Sequence, residues 1–583
     1  MPAKVRYHVE ASRLHEHLFD VQTWFPAGCP ELRLWMPAWT PGSYLLREYA
    51  RHVQDFAAFA PEGTPLSGHR LDKGSWQVSN PRGGEVSVRY RVYANELTVR
   101  TSHLDGSHGY FNGASIFMTT DAHRALPCEL SLAAPEGWCA FCALPERDGS
   151  FHAADFDELV DSPVELGPHA TIRFDAAGKP HEIVAVGAAD LDRERLTGDL
   201  AAICETAAAL FGGLPCERYL FIVHLTEKAR GGLEHRASCT LHFPRFGLRP
   251  GKGYEDFLAL AAHEYFHLWN VKRILPRAFV PFDYRKENYS RMLWAFEGIT
   301  SYYDMLLTRR AGRCDARLYL QKMGETITSV ESMPGRRAMS LEESSLLAWT
   351  KLYRPDENTP NSTISYYSKG EVVAMLLDLQ LRAATEGRRS LDDAMRLLFE
   401  RHGDGSGVPE DGVEAVCREL GGEGLAGFFE GAVRGTGELD YSVLASAGLV
   451  LKRRPKRGVG DKGGTPGDQT DVAWLGVELK PGDRALVATA LADSPATELG
   501  LYAGDEIVAL DGFRVSAATL LERLDGRNPG DRARLAVFRG DQLLELEVRL
   551  AARPHDACFF EKLASPTPQQ RALFQAWLGE PFD

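Results

Sequence analysis

No run of apolar residues in this chain approaches the ~18 that cross a bilayer, so no membrane-spanning helix is expected. The opening residues, Met1-Pro2-Ala3-Lys4-Val5-Arg6-Tyr7, lead into no apolar leader core, so no signal peptide is expected. Clustered positive charge is scarce. The formal net charge is −14 over 583 residues. That argues against nucleic acid and against anionic membrane surfaces, because both require grouped Lys and Arg. The one basic run, Lys452-Arg453-Arg454-Pro455-Lys456-Arg457, borders a Gly-rich stretch and reads as solvated linker. A disulfide framework is missing too. The ten cysteines are scattered, and Cys139-Ala140-Phe141-Cys142 has no second pair with which to build a zinc ribbon. Reduced thiols in a cytoplasm are the expectation. No long internal repeat is present.

What is there reads as an α+β chain of several domains. At roughly 150 residues per domain, three or four are expected. Residues 1–185 look β-rich: Leu32, Leu34 and Met36 alternate with polar neighbours, as do Val86, Val88, Tyr90 and Val92. A β-sandwich-like domain follows from that period of two. From residue 186 the period changes, with Leu196, Leu200, Ile203, Ala207 and Leu210 at helical spacing. A mostly helical domain is expected over 186–451, a flexible linker over 452–471, a compact β-rich domain over 472–552, and a tail with a short helix over 553–583.

The strongest chemical signal is His263-Glu264-Tyr265-Phe266-His267, preceded by good helix formers from Phe257 to Ala262. On a helix, i and i+4 share a face, so both imidazoles can reach one ion, and Glu264 beside them can act as general base. A chance match is expected in only about a few per cent of chains this long. A catalytic zinc needs a third protein ligand and an open position. Glu297 is a lone carboxylate in the apolar and aromatic run Leu293–Tyr303, where a buried charge needs a partner, and it is the favoured third ligand. Asp283 and Glu287, in a Pro/Tyr-rich loop, are weaker candidates.

Gly231-Gly232-Leu233-Glu234-His235 lies between two strand-like runs. Bare glycines let a peptide backbone approach and add as an extended strand, and a carboxylate after them can pair with an ammonium. Tyr366-Tyr367-Ser368-Lys369-Gly370 precedes the apolar run Val372–Leu381. Hydrolysis builds charge on a carbonyl oxygen, so a donor aimed at that oxygen is expected near the metal.

The pair His-Glu-x-x-His and Glu-Gly-x-x-x-Tyr resembles the gluzincin metallopeptidases, the group that contains thermolysin and aminopeptidase N. His267 and Glu297 lie farther apart than in the aminopeptidase N family. That spacing is similar to the glycyl aminopeptidase family, whose members carry a C-terminal PDZ domain. Pro37-Ala38-Trp39-Thr40-Pro41-Gly42-Ser43-Tyr44 and His267-Leu268-Trp269-Asn270-Val271-Lys272-Arg273 resemble that family as well. The resemblance implies a thermolysin-like catalytic domain, one zinc on His263, His267 and Glu297, and Glu234 as the group that holds a free α-amine. It selects Tyr367 as oxyanion donor, with Tyr366 the alternative, and assigns His235 no role. It also implies cleavage after N-terminal Gly or Ala. Trp474-Leu475-Gly476-Val477, Ser494-Pro495-Ala496, Gly500–Ile507 and Asp511-Gly512 look like a bacterial PDZ domain, which would take a peptide C-terminus. Two other functions remain open on these residues: a zinc endopeptidase, and a PDZ peptide-binding scaffold with an idle zinc site.

Overall fold

The computed structural model describes residues 3–582 apart from 29, 188–190, 250–252 and 459, so Val459 of the expected linker lies outside it. The chain divides into two compact units, one of Met1–Tyr289 with Phe399–Gly407 and one of Ser290–Leu398 with Val408–Asp583. The architecture is the expected multidomain α+β one: sheets first, then helices, then a PDZ domain. Among the described residues no helix is long and apolar enough to cross a membrane.

In the first unit an eight-stranded sheet carries the Val86–Tyr93 strand, and a three-stranded sheet carries Glu31–Trp35 with Leu32 and Leu34. Strand Val5–Arg13 buries every second residue, and Val86, Val88, Tyr90 and Val92 of the Val86–Tyr93 strand are all buried. Together with Leu32 and Leu34 they form one apolar core. A smaller sheet orders Cys139–Cys142, Val164–Gly167, Gly109–Phe111 and Ser102–Leu104. In that first strand Cys139 faces solvent and Cys142 the interior, as strand alternation requires of residues three apart.

A five-stranded sheet completes the unit: Thr171–Ala176, Lys179–Val186, Tyr219–Thr226, Ser238–Pro244 and, on the edge, Gly231–Glu234. Its three central strands are parallel, so they need a crossover. The Arg193–Phe211 helix supplies it, buries Leu196, Leu200, Ile203, Ala207 and Leu210, begins on an Asp192 cap and ends at Gly212 with φ 80°. The glycine motif is therefore itself a strand rather than a turn between strands. Its pairing with Ser238–Pro244 leaves the other edge of its backbone open to a further strand.

The second unit holds the helices Ile299–Arg310, Ala316–Glu331 and Ser368–Ala384 and the PDZ segment. The PDZ core gathers Leu475, Val487, Ala496, Ile507, Leu520 and Val537 among others. Gly476 sits at φ +85°, where a Cβ would fall 2.2 Å from that of Ser494, so this loop requires glycine. Part of the expected linker is ordered strand. Lys452, Arg453 and Arg454 end Leu449–Arg454, which pairs with Ala557–Lys562, and Arg454 is buried on Asp461. Backbone pairing and a buried ion pair outweigh the solvation that the basic run suggested. The tail helix, Pro568–Leu578, packs through Trp577, whose indole N–H donates to the Tyr302 hydroxyl at 2.8 Å.

Candidate metal centre and peptide site

The Tyr254–Phe266 helix has Glu255 and Asp256 in its first turn, where carboxylates complement the helix dipole. It buries Phe257, Leu258, Ala261, Ala262 and Tyr265. That packing turns His263 and His267 to one side, with ring centroids 4.8 Å apart. The Asn270 carbonyl lies 2.7 Å from His267 Nδ1 and can only accept, so Nδ1 carries the proton and Nε2 is left basic. The turn that brings Asn270 there is strained. Val271 adopts φ 133°, and a β-branched residue in that region costs on the order of 1–3 kcal/mol.

Glu264, nearly fully buried, lies against the edge strand. A Cβ on Gly232 would fall 2.1 Å from Glu264 Oε1, so only a bare backbone fits. Glu234 is 3% exposed, and its Oε1 has no hydrogen-bond partner among the described residues. Glu234, Glu264 and His267 each bring a ligand-type atom within 4.8 Å of the others. Both oxygens of Glu234 also face Gly42, where a Cβ would stand 2.5 Å away. A cavity of about 390 Å³ opens here, lined by Gly42, Tyr44, Asp161, Lys272 and Phe279 besides Glu234.

Asp161 fixes the floor of this cavity. It accepts from Lys272 Nζ at 2.8 Å, from His235 Nδ1 at 3.1 Å and from the Arg236 backbone N–H at 3.0 Å. Burial pushes its carboxyl up, but Lys272 and His235 outweigh burial and hold it at about 2. His235, given no role from sequence, is therefore a positioning residue for the segment that carries Glu234. Gly42 and Lys272 lie inside motifs noticed in the sequence. Asp161 has no local signal at all.

Family models match this chain as Peptidase M61 N-terminal domain over residues 6–168, M61 glycyl aminopeptidase over 256–373 and PDZ domain over 473–550. A solved aminopeptidase N family protein from Idiomarina loihiensis is 33% identical, with 98% of this chain and 100% of that one covered at a TM-score of 0.93. The chain belongs to the M61 glycyl aminopeptidase family. By family it is an aminopeptidase. An M1 zinc metallopeptidase from Deinococcus radiodurans superposes over 75% of this chain and 95% of that one at 12% identity, with a TM-score of 0.49. Curated relatives named probable periplasmic serine endoprotease DegP-like, among them one from Brucella suis, are 32% identical over 97 residues, 14% of this chain and 19% of the relative. The chain spans about one fifth of the length of the curated relatives it matches.

The M61 match also takes in the second unit's share of the predicted residues. Glu297, 2% exposed, sits on a π-helical turn, Trp294–Gly298, at the start of the Ile299–Arg310 helix. Such turns occur often at functional sites. Gly298 meets Gly370 backbone to backbone: a Cβ on Gly298 would fall 2.5 Å from Gly370 Cα. That contact holds the Tyr367–Gly370 segment beside Glu297. Tyr367 precedes the Ser368–Ala384 helix and is half-buried, with its hydroxyl 3.2 Å from that of Tyr353. Burial first, then the charge of Glu297, pushes the Tyr367 phenol well above its ordinary value, so it stays protonated and able to donate. Tyr366, stacked on it at 4.7 Å, is fully buried.

Proposed function

We propose that this protein is an aminopeptidase that removes N-terminal Gly or Ala from peptides, with one catalytic zinc held by His263, His267 and Glu297. The donor set fits zinc: two imidazoles one helical turn apart, the second with its Nε2 left basic by the Asn270 carbonyl, and a buried carboxylate as third ligand. When bound, zinc polarises the scissile carbonyl and acidifies water. Glu264 would take a proton from the attacking water and deliver it to the leaving amine. Tyr367, the more accessible of the two tyrosines, donates to the developing oxyanion. The substrate backbone adds along Gly231 and Gly232, and Glu234 holds its ammonium.

The observation that carries an exopeptidase over an endopeptidase is Glu234, a buried carboxylate with an unpartnered oxygen on the edge strand next to Glu264. A buried charge of this kind calls for a cation, and a peptide α-ammonium supplies one. Preference for small residues rests on the family description. A peptide C-terminus at the PDZ loop around Gly476 and a cytoplasmic setting belong to the same proposal.

A charged hydrogen bond contributes about 1.5–3 kcal/mol, or ~10- to 100-fold in kcat/KM. Glu234→Gln is expected to lower kcat/KM for a glycyl anilide by that factor and to leave metal content unchanged. The N-acetyl anilide should be cleaved poorly by the wild type. Equal turnover of free and acetylated substrates by the wild type would reject the aminopeptidase in favour of an endopeptidase.

A further inference from the structure

Behind the edge strand the first unit encloses a second set of metal-type side chains, none of which the peptidase chemistry uses. Glu165, on Val164–Gly167, is fully buried. His108 Nδ1 lies 3.0 Å and His169 Nε2 2.8 Å from its Oε1, and His224 Nε2 lies 2.9 Å from its Oε2. His224 and His242 stand side by side on neighbouring parallel strands, 2.9 Å apart through Nδ1 and Nε2. His103 packs its ring 4.9 Å from that of His108, and its buried Nδ1 has no hydrogen-bond partner among the described residues.

We propose that His108, His224 and Glu165 form a second, structural site for a divalent transition-metal ion of the zinc class. One ligand atom of each lies within 4.8 Å of the other two, and the three residues are 5%, 1% and 0% exposed. Imidazole and carboxylate donors suit such an ion. A buried carboxylate also needs a compensating cation. Among the described residues neither Lys nor Arg pairs with Glu165; its ion-pair partners are the three histidines.

The surroundings resemble the outer shell of a metal site. A His that binds through Nε2 has its proton on Nδ1 and donates it onward, and His242 Nε2 stands at that position beside His224. His169 in turn orients Glu165. Its ring lies over Gly167, where a Cβ would fall 2.2 Å from Nε2. The three ligands come from separate stretches of chain. His108 precedes the Gly109–Phe111 strand, Glu165 lies on its antiparallel neighbour, and His224 lies on the central strand Tyr219–Thr226. An ion there would cross-link the small sheet to the five-stranded sheet. His242 pairs in register with Gly231, so the cross-link would also brace the strand that receives substrate.

The test counts metal in full-length protein that has been loaded with zinc and dialysed free of loose ion. The wild type is expected to hold two ions per chain, His263→Ala/His267→Ala one, and the same protein with His224→Ala added none. Complete loss of metal in His263→Ala/His267→Ala overturns the second site. A single wild-type ion that survives His263→Ala/His267→Ala supports the second site and rejects the peptidase centre instead. Should the triple variant fail to fold, cobalt-loaded His263→Ala/His267→Ala is read by visible absorption. A band of nitrogen-coordinated cobalt supports the site, and the spectrum of hydrated cobalt overturns it.

Discussion

Two buried carboxylates of the first unit, Glu165 and Glu234, differ in what surrounds them. Glu165 meets three imidazoles. Burial pushes its carboxyl up, and the imidazoles more than reverse this, so it lies well below the usual carboxylate range. Glu234 is nearly as buried, yet it faces a cavity, a bare glycine and the metal helix with one oxygen unpartnered. A carboxylate ringed by buried imidazoles holds structure together, with or without an ion among them. One that faces a cavity with an oxygen left short of a partner is poised for a substrate. The same side chain thus serves two purposes, and the count of donors around it separates them.

The largest break in this comparison should come from Glu165→Ala. Removing one member of a buried charged set typically costs about 3–5 kcal/mol. The urea midpoint should fall accordingly, while kcat per folded molecule stays within about twofold. A midpoint equal to the wild type's would mean that Glu165 holds nothing together. Glu264→Gln should do the opposite: unfolding unchanged within ~0.5 kcal/mol, zinc retained, and kcat down by ~10² or more, the usual size of a lost proton-transfer contribution. Full kcat in that variant would remove Glu264 as the base.

The smallest effect sharpens the comparison with a charge of the other sign. Lys369 is 2% exposed, and its Nζ has no hydrogen-bond partner among the described residues. Burial, then the charge of Arg336, lowers it to about 8 from an ordinary 10.5. Between those two values the unfolded chain holds a proton that the folded chain has released, so stability rises with pH across that window. Below pH 8 the whole penalty stands. Lys369→Met should therefore stabilise the fold at pH 7 by about 1–3 kcal/mol and flatten the rise between pH 8 and 10. Urea midpoints at pH 7 and pH 10 would check both, and a less stable variant at pH 7 would reject the account.

The fold class and the metal helix were legible in the sequence because each is written in a short period. Val86, Val88, Tyr90 and Val92 need only alternation, and His263 and His267 only the helical turn. The burial of Glu297 was legible because a charge stood alone in an apolar run, although nothing local announced that its turn would be π-helical. Gly231–Glu234 was noticed for its glycines but not as a strand of its own, since edge pairing is decided by a neighbour strand. The Glu165 cluster could not be read at all. Its members, His103 to His242, are scattered over five strands and loops, and only the tertiary fold gives them a common address. Asp161 escaped notice for the same reason.

The contact of Gly298 with Gly370 has a consequence for anyone who would redesign this enzyme. Backbone meets backbone there without clearance, so neither position tolerates even a methyl group without pushing the other segment away. In a combinatorial library both codons would come back unchanged, and so would the spacing between the Glu297 turn and Tyr367. New substrate range is better sought in the first unit's own cavity around Gly42, Tyr44 and Phe279, where open volume leaves room for variation.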